Sequence, residues 1–323
     1  MPKFDILAIG ELNVDLIMTG FQSLPVSGRE IIGEDFTCIL GSSTAICACV
    51  MANLGLSTTF YGKMGKDAFA DVVKHYLHKY NVDTGVIVEE ESRRTGITVA
   101  ITTNVNKDRS LATCNGDSID EVVVEDITDD MLRSARHMHV GAFFLQSKLR
   151  KNLVTLFKRA KDLGLTTSLD CSWDETNVWD YDIINVLKYT DIFFPNEGEA
   201  LNIAKAQTGK DYCIPSAAEE LAKHAKICVV KCGPMGAYLH TTLQGEEKII
   251  EDKPFDAKVV DTTGAGDSFN AGFLYAYLNG KTLEECMTYG NASGSVSVTR
   301  MGGTSNCPNL KEVEETIKNG FVK

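Results

Sequence analysis

Asp261-Thr-Thr-Gly-Ala-Gly-Asp-Ser-Phe-Asn-Ala-Gly-Phe-Leu-Tyr-Ala-Tyr-Leu278 joins a glycine-rich turn to an apolar stripe of Phe269, Phe273 and Ala276 at helical spacing. The turn therefore sits at a helix N-terminus, where the first backbone N–H groups lack intrahelical carbonyls and the macrodipole is positive. Such a site suits phosphate. Gly264 and Gly266 let the backbone approach an anion closely. Asp267, in the first turn, is expected to be kept ionised by the same dipole and to accept a proton from an attacking hydroxyl. Taken alone, a Gly-x-Gly-Asp run is more often a tight turn followed by a capping carboxylate.

Outward from this segment, short apolar runs end at Gly, Pro or Asp over residues 6–10, 58–62, 138–145, 166–170, 192–195 and 227–233, and they read as buried strands. Residues 45–54, 69–80, 149–163 and 217–225 carry helical spacing between them. This alternation implies an α/β fold, a mostly parallel sheet with helices on both faces. Two stretches break the rhythm. Residues from about 15–39 and 95–113 show short alternating patterns with turn residues between, and are expected to add strands at one edge as a small β lid. Without repeats, low-complexity tracts or charge blocks, residues 1–323 are expected to form a single α/β domain.

At 323 residues and 44% apolar content the chain can bury a large core. Its formal charge of -12 argues against a broad electrostatic grip on nucleic acid or an anionic membrane, since both demand basic surface. Ten cysteines are scattered through strand-like and helix-like segments with no Cys-x-x-Cys among them, which fits reduced thiols in the cytoplasm better than disulfides or structural zinc. The first residues lack the pattern of a signal peptide, and no run approaches the roughly 18 apolar residues of a membrane span.

Several segments together resemble the ribokinase-like carbohydrate kinases, the pfkB family. They are Gly10-Glu-Leu-Asn-Val-Asp15, Gly41-Ser-Ser-Thr-Ala, Ala52-Asn-Leu-Gly55, Gly62-Lys-Met-Gly-Lys-Asp67, Pro195-Asn-Glu-Gly-Glu199, Val229-Val-Lys-Cys-Gly-Pro-Met-Gly-Ala237, the Asp261 segment and residues 291–300. The resemblance spans nearly the whole chain in order and spacing. It implies a doubly wound sheet with a β-sheet lid and ATP-dependent phosphorylation of a hydroxyl on a sugar or sugar derivative. By the same resemblance Asp267 is the base, and the backbone of Gly264, Ala265, Gly266 and Asp267 forms the anion hole. Asn196 and Glu199 correspond to a pair that holds Mg2+ and the phosphates, largely through water, although Asn followed three residues later by Glu also makes a capping box. Lys231, Gly233 and Gly236 fall near the nucleotide and Asn291 near adenine, while the two glycines serve a turn between strands equally well.

On the acceptor side the resemblance places Asn13, Asp15, Gly41, Ser42 and Ser43. A carboxylate at a strand end, Asp15, suits substrate hydroxyls and is otherwise an ordinary turn residue. The family typically has a second glycine and then an Asn where this chain has Ser42 and Ile46, which puts ribose in doubt. A monovalent cation site, K+ by similarity, would draw on Asp261, Thr263, Ser297, Arg300, Gly302 and Asn306. A nucleoside or other hydroxylated metabolite is the alternative acceptor, and a catalytically silent binding protein the alternative outside enzymes. Retention of Asp267 and both glycines disfavours the latter. Gly280-Lys281-Thr282 imitates a P-loop tail, but Thr282 and Glu285 read better as a capping box. His75 and His78 are expected on a solvated helix face, and His137 and His139 are expected to flank a strand. Trp173 and Trp179 are candidates for the core or for the substrate cleft. Exposed lid edges would be covered in a homodimer.

Overall fold

Alternate residues of one strand feed two separate cores. In Phe4–Ile9, Ile6 and Ala8 join one apolar cluster while Leu7 and Ile9 join another on the opposite face. This is the period-two signature of a strand buried on both sides. The computed structural model describes residues 2–103, 109–243 and 245–322. Its large sheet has six parallel strands in the order Thr58–Tyr61, Phe4–Ile9, Ala135–Val140, Thr166–Leu169, Ile192–Phe193 and Ile227–Lys231. Two antiparallel strands, Ala237–Leu243 and Glu246–Asp252, complete one edge. Helices Ser43–Asn53, Ala265–Leu278 and Leu283–Ser297 cover one face, and Leu153–Asp162, Glu197–Thr208 and Ile214–Ala222 cover the other.

The second sheet has four strands in the order Asp35–Leu40, Asn13–Phe21, Gly96–Thr103 and Arg109–Cys114. Its middle pair is parallel and its outer pairs are antiparallel. It arises from the two stretches with alternating patterns; residues 104–108, within the second of them, lie outside the described residues. Ile17, Ile39 and Ala100 make its small core, against which Tyr76 packs.

Three local expectations are corrected. Residues 149–163 form two helices, Ser147–Arg150 and Leu153–Asp162, because Asn152 leaves the helical region at φ -124° and donates its side-chain amide to Glu125 Oε1 at 3.1 Å. The run 138–145 is strand only to Val140: Ala142 turns left-handed at φ 52°, and a 3-10 turn follows over Phe143–Leu145. Gly141 precedes that turn where a Cβ would lie 2.3 Å from Thr44 Oγ1, so only glycine admits the start of helix Ser43–Asn53. His137 and His139 do not flank a strand but lie buried within Ala135–Val140. Hydroxyls of the next strand make that burial tolerable. Thr166 Oγ1 and Ser168 Oγ each stand 2.8 Å from His137, and Ser168 Oγ stands 2.7 Å from His139 Nδ1.

Burial pushes His137 down to about 3 and His139 to about 4. An unfolded chain protonates both as pH falls through 6.5, whereas the folded protein does so only near 4 and below. The folded state therefore loses stability as pH drops through that window, by about 1.4 kcal/mol per unit of depression for each ring. Urea midpoints at pH 7.5, 6 and 5 should fall progressively, with a shallower fall in His137→Gln; equal slopes in the two proteins would refute this origin.

Candidate active site

Helix Ala265–Leu278 begins without a side-chain cap: its N-cap is Gly264, in the left-handed region at φ 75°. Several other helices here receive one, from Ser42, Asp67, Asn196, Thr282 and Asn309. Ala265 N–H donates to Thr262 O at 3.2 Å and Ser268 N–H to Gly264 O at 2.8 Å. Helix geometry leaves the amides of Gly266 and Asp267 for an incoming anion. Asp261 shapes the approach to the turn. Its carboxylate accepts from Thr263 N at 2.9 Å, Thr263 Oγ1 at 2.8 Å and Gly302 N at 2.9 Å. A Cβ on Gly264 would meet Gly303 Cα at 3.0 Å and Ile46 Cγ2 at 3.1 Å, so this turn is built for close packing.

Lys231, at the end of its strand, reaches under the turn, its Nζ 3.5 Å from where a Gly266 Cβ would stand. The ammonium pairs with Asp170 at 2.5 Å, and Asn270 Nδ2 donates to the same carboxylate oxygen at 2.5 Å. Burial alone would raise Asp170, but Lys231 and these hydrogen bonds hold it below the usual carboxylate value. Burial alone would lower Lys231, and Asp170 and Glu199 reverse that. Asp267 itself is half-buried. Burial first, and then the charge of Asp170, push its carboxyl well above the ordinary range, with Lys231 opposing and Glu11 and Glu199 adding to the rise. Desolvation and the neighbouring carboxylates thus oppose the ionisation that the helix dipole favours.

Asn196 and Glu199 form the capping box of helix Glu197–Thr208, with Glu199 N donating to Asn196 Oδ1 at 2.9 Å and Asn196 N to Glu199 Oε2 at 2.8 Å. Lys231 N donates to Pro195 O at 2.9 Å, which ties this helix start to the Lys231 strand. Burial, then Asp170, pushes Glu199 up to about 7. Gly233 and Gly236 lie in the turn between strands, at φ 51° and 93°, and a Cβ on Gly236 would strike Asp252 O at 2.0 Å. Asn291, buried in helix Leu283–Ser297, donates to Asp252 Oδ2 at 3.1 Å.

On the acceptor side the structure brings Asn13, Asp15 and Gly41 together. Asn13 Nδ2 donates to Asp15 Oδ1 at 3.1 Å, and a Cβ on Gly41 would overlap both side chains at 2.6 and 2.3 Å. Ser42, at φ 69°, turns its hydroxyl inward, accepting from Ala45 N at 3.0 Å and donating to Glu11 O at 2.7 Å. Ser43 starts the helix, partly exposed. A cleft of about 420 Å³ runs from Asp15 and Thr98 to Asp261, Thr262 and Thr263, immediately before Gly264. Of the residues expected around a monovalent cation, Asp261 gathers Thr263 and Gly302, whereas Arg300 donates to Asn306 O at 3.0 Å and Ser297 caps back to Gly294 O at 2.8 Å.

Sequence reading missed Asp170, Asn270 and Glu11. Glu11, buried, accepts from Thr44 Oγ1 at 2.8 Å, and burial raises it. The available signal was position: Asp170 and Glu11 stand just past the carboxyl ends of interior strands, where ligands bind in open parallel sheets. Trp179 is core, while Trp173 is half exposed, edge-on to Trp179 at 4.8 Å, and 3.1 Å from a Cβ built on Gly198 beside the Asn196 cap.

The profile of the pfkB family carbohydrate kinases matches residues 3–310. The chain is 27% identical over 332 residues to the 5-dehydro-2-deoxygluconokinase of Bacillus subtilis, with 98% of this chain and 96% of the relative covered. It is 30% identical over 260 residues to an uncharacterized sugar kinase of Archaeoglobus fulgidus, covering 80% of this chain and 98% of that one. Arabidopsis thaliana ribokinase, solved with ribose and ATP, superposes with a TM-score of 0.82 at 26% identity over 98% of this chain and 99% of its own.

The Lys231 ammonium stands among several carboxylates. Lys231→Met would leave Asp170 buried without its counter-charge and is expected to cost about 3–5 kcal/mol in urea unfolding. The double variant Lys231→Met, Asp170→Asn should recover much of that loss, and no recovery would refute the pairing as its cause.

Proposed function

This chain belongs to the pfkB family of carbohydrate kinases, and we propose that it moves the γ-phosphoryl group of ATP onto a hydroxyl of a sugar or sugar derivative with Asp267 as base. The observation that carries this reading is the uncapped start of helix Ala265–Leu278, with Asp267 in its first turn, just past the Asp261–Thr263 end of a cleft that begins at Asp15. Asp15 and Asn13 orient the acceptor hydroxyls. The amides of Gly266 and Asp267 donate to the migrating phosphoryl group, and Lys231 lends positive charge from below. Asp267 takes the hydroxyl proton. The four-stranded sheet serves as the lid of a single α/β domain and keeps water from the phosphate.

Asp170, Glu199 and Asp267 all act on the Lys231 ammonium, an excess of negative over positive groups, and no cluster of three metal-ligating side chains is present among the described residues. Asn196 and Glu199 would hold Mg2+ through water, and the ion when bound supplies neutralisation of phosphate charge. Lys231, Gly233, Gly236 and Asn291 are assigned to the nucleotide side. Asp261, Thr263, Ser297, Arg300, Gly302 and Asn306 are assigned to K+. A second copy covering exposed Ile32 and Phe36 of the lid region would bury their apolar surface, which supports a homodimer, and the enzyme is assigned to the cytoplasm on its ten free cysteines.

Asp267→Asn should lower kcat by at least about 100-fold, with ATP affinity by calorimetry and the urea midpoint near wild type; substantial turnover would remove Asp267 as the base. Wild-type kcat/KM for MgATP should also fall with acid above the ordinary carboxylate range, because the base must be deprotonated and its pKa before MgATP binds is raised. Replacing K+ by tetramethylammonium should lower the rate severalfold, and an unchanged rate would dismiss the cation site.

A further inference from the structure

Left-handed backbone is concentrated in one loop. Among the described residues eight that are not glycine have positive φ, and five of them, Ser172, Asn177, Trp179, Tyr181 and Asp182, fall within positions 172–182. Such conformations are costly for residues with a Cβ and persist only where the surroundings enforce them. Asp174 does much of the enforcing. Its buried carboxylate accepts from Thr176 N at 3.0 Å, Thr176 Oγ1 at 2.7 Å, Val178 N at 2.8 Å and Trp179 N at 2.8 Å. Thr176 Oγ1 and the Tyr181 hydroxyl are 2.6 Å apart, the Arg150 guanidinium lies 3.8 Å over the Tyr181 ring, and buried Trp179 meets Phe144 edge-on at 5.2 Å. The loop is therefore fixed in shape from within.

What this loop presents is Trp173. Its ring stands edge-on to Trp179, and half of the residue, 50%, stays exposed. Trp173 follows Asp170 by three residues, so it leaves the sheet at the strand end where Asp170 meets Lys231. A Cβ built on Gly198 would lie 3.1 Å from Trp173 Cζ3 and 3.5 Å from Asn196 Oδ1. The six-membered end of the indole thus borders the first turn of helix Glu197–Thr208, beside the box of Asn196 and Glu199, and the pyrrole N–H is at the opposite end of the ring. Gly198 has ordinary helical backbone, so its missing side chain makes room for the ring rather than for a turn. An indole left half in water contributes less to folding than a buried one. Strained backbone that holds it there, at a strand end, points to contact with a ligand.

We propose, resting on the kinase reading of this same site, that Trp173 is a nucleotide contact: bound MgATP lies with its polyphosphate and metal end against the exposed side of the indole, and the ring screens that end from water. Indole chemistry suits the place. Its N–H donates and never accepts, so it meets phosphate oxygen without repulsion. Its face attracts cationic groups, so a hydrated metal ion is accommodated as well. The ring has few rotatable bonds and its loop is already ordered, so little freedom is lost when nucleotide arrives.

The test uses the full chain and MgATP with no acceptor present. The protein has two tryptophans and Trp179 is buried, so Trp173→Phe separates their emission. Wild-type tryptophan emission should change saturably over the MgATP concentrations at which calorimetry shows binding, and Trp173→Phe should lose most of that change. Trp173→Ala should raise the calorimetric Kd for MgATP by about 5-fold. Gly198→Ala, which helix propensity favours, should displace the ring and also raise that Kd severalfold, with its urea midpoint at or above wild type; a merely structural role for Trp173 would not set affinity and stability in opposite directions. Unweakened MgATP binding in both alanine variants, or an emission change of undiminished size in Trp173→Phe, would overturn the assignment and leave the kinase reading standing. A wild-type chain that binds no MgATP would overturn both.

Discussion

The buried ion pair between Lys231 and Asp170 is the interaction on which the rest of the site depends. It sits past the carboxyl ends of interior parallel strands, beneath the first turn of helix Ala265–Leu278, and Asn270 of that helix binds the same carboxylate. Two strands and one helix are thereby locked at a single point. Such a pair is costly to assemble and costlier to break by halves. Its position converts that cost into an electrostatic setting, since the ammonium offsets charge on Asp267 and Glu199 while Asp170 adds to it.

Around Asp267 burial and several carboxylates favour the neutral acid, and added positive charge would favour the ionised one. Asp267 and Glu199 are both raised by burial and by Asp170, so their protonation is linked through one carboxylate. The capping box of Asn196 and Glu199 belongs to the same economy. It orders one helix start while keeping a carboxylate beside the Lys231 strand.

Close approach accounts for much of the remaining geometry. Gly41 yields space to Asp15 and Asn13, and Gly264 yields it to Ile46 and Gly303. The Asp15 end of the cleft and the glycine turn are thus joined through the start of helix Ser43–Asn53, whose own cap, Ser42, is anchored to Glu11 O. Movement of the small sheet would change the cleft between these ends without disturbing the turn.

Strand and helix order, the small second sheet, the glycine turn and its carboxylate were legible in the residues, because periodicity, glycine and helix starts are local signals. Gly264, Asp267, Asp15 and the Asn196 box could be named before any fold was known. Asp170, Glu11 and Asn270 could not, since a lone acid past a strand end acquires its role only from a lysine 61 residues away or a helix 100 residues away. His137 and His139 were misplaced for the same reason: the hydroxyls that make their burial tolerable come from a neighbouring strand. By itself the sequence determined the fold class and the glycine turn at the helix start. Tertiary structure alone decided the charge state around Asp267 and the placement of Trp173 beside the Asn196 cap, because desolvation and convergence of distant side chains exist only once the chain has packed.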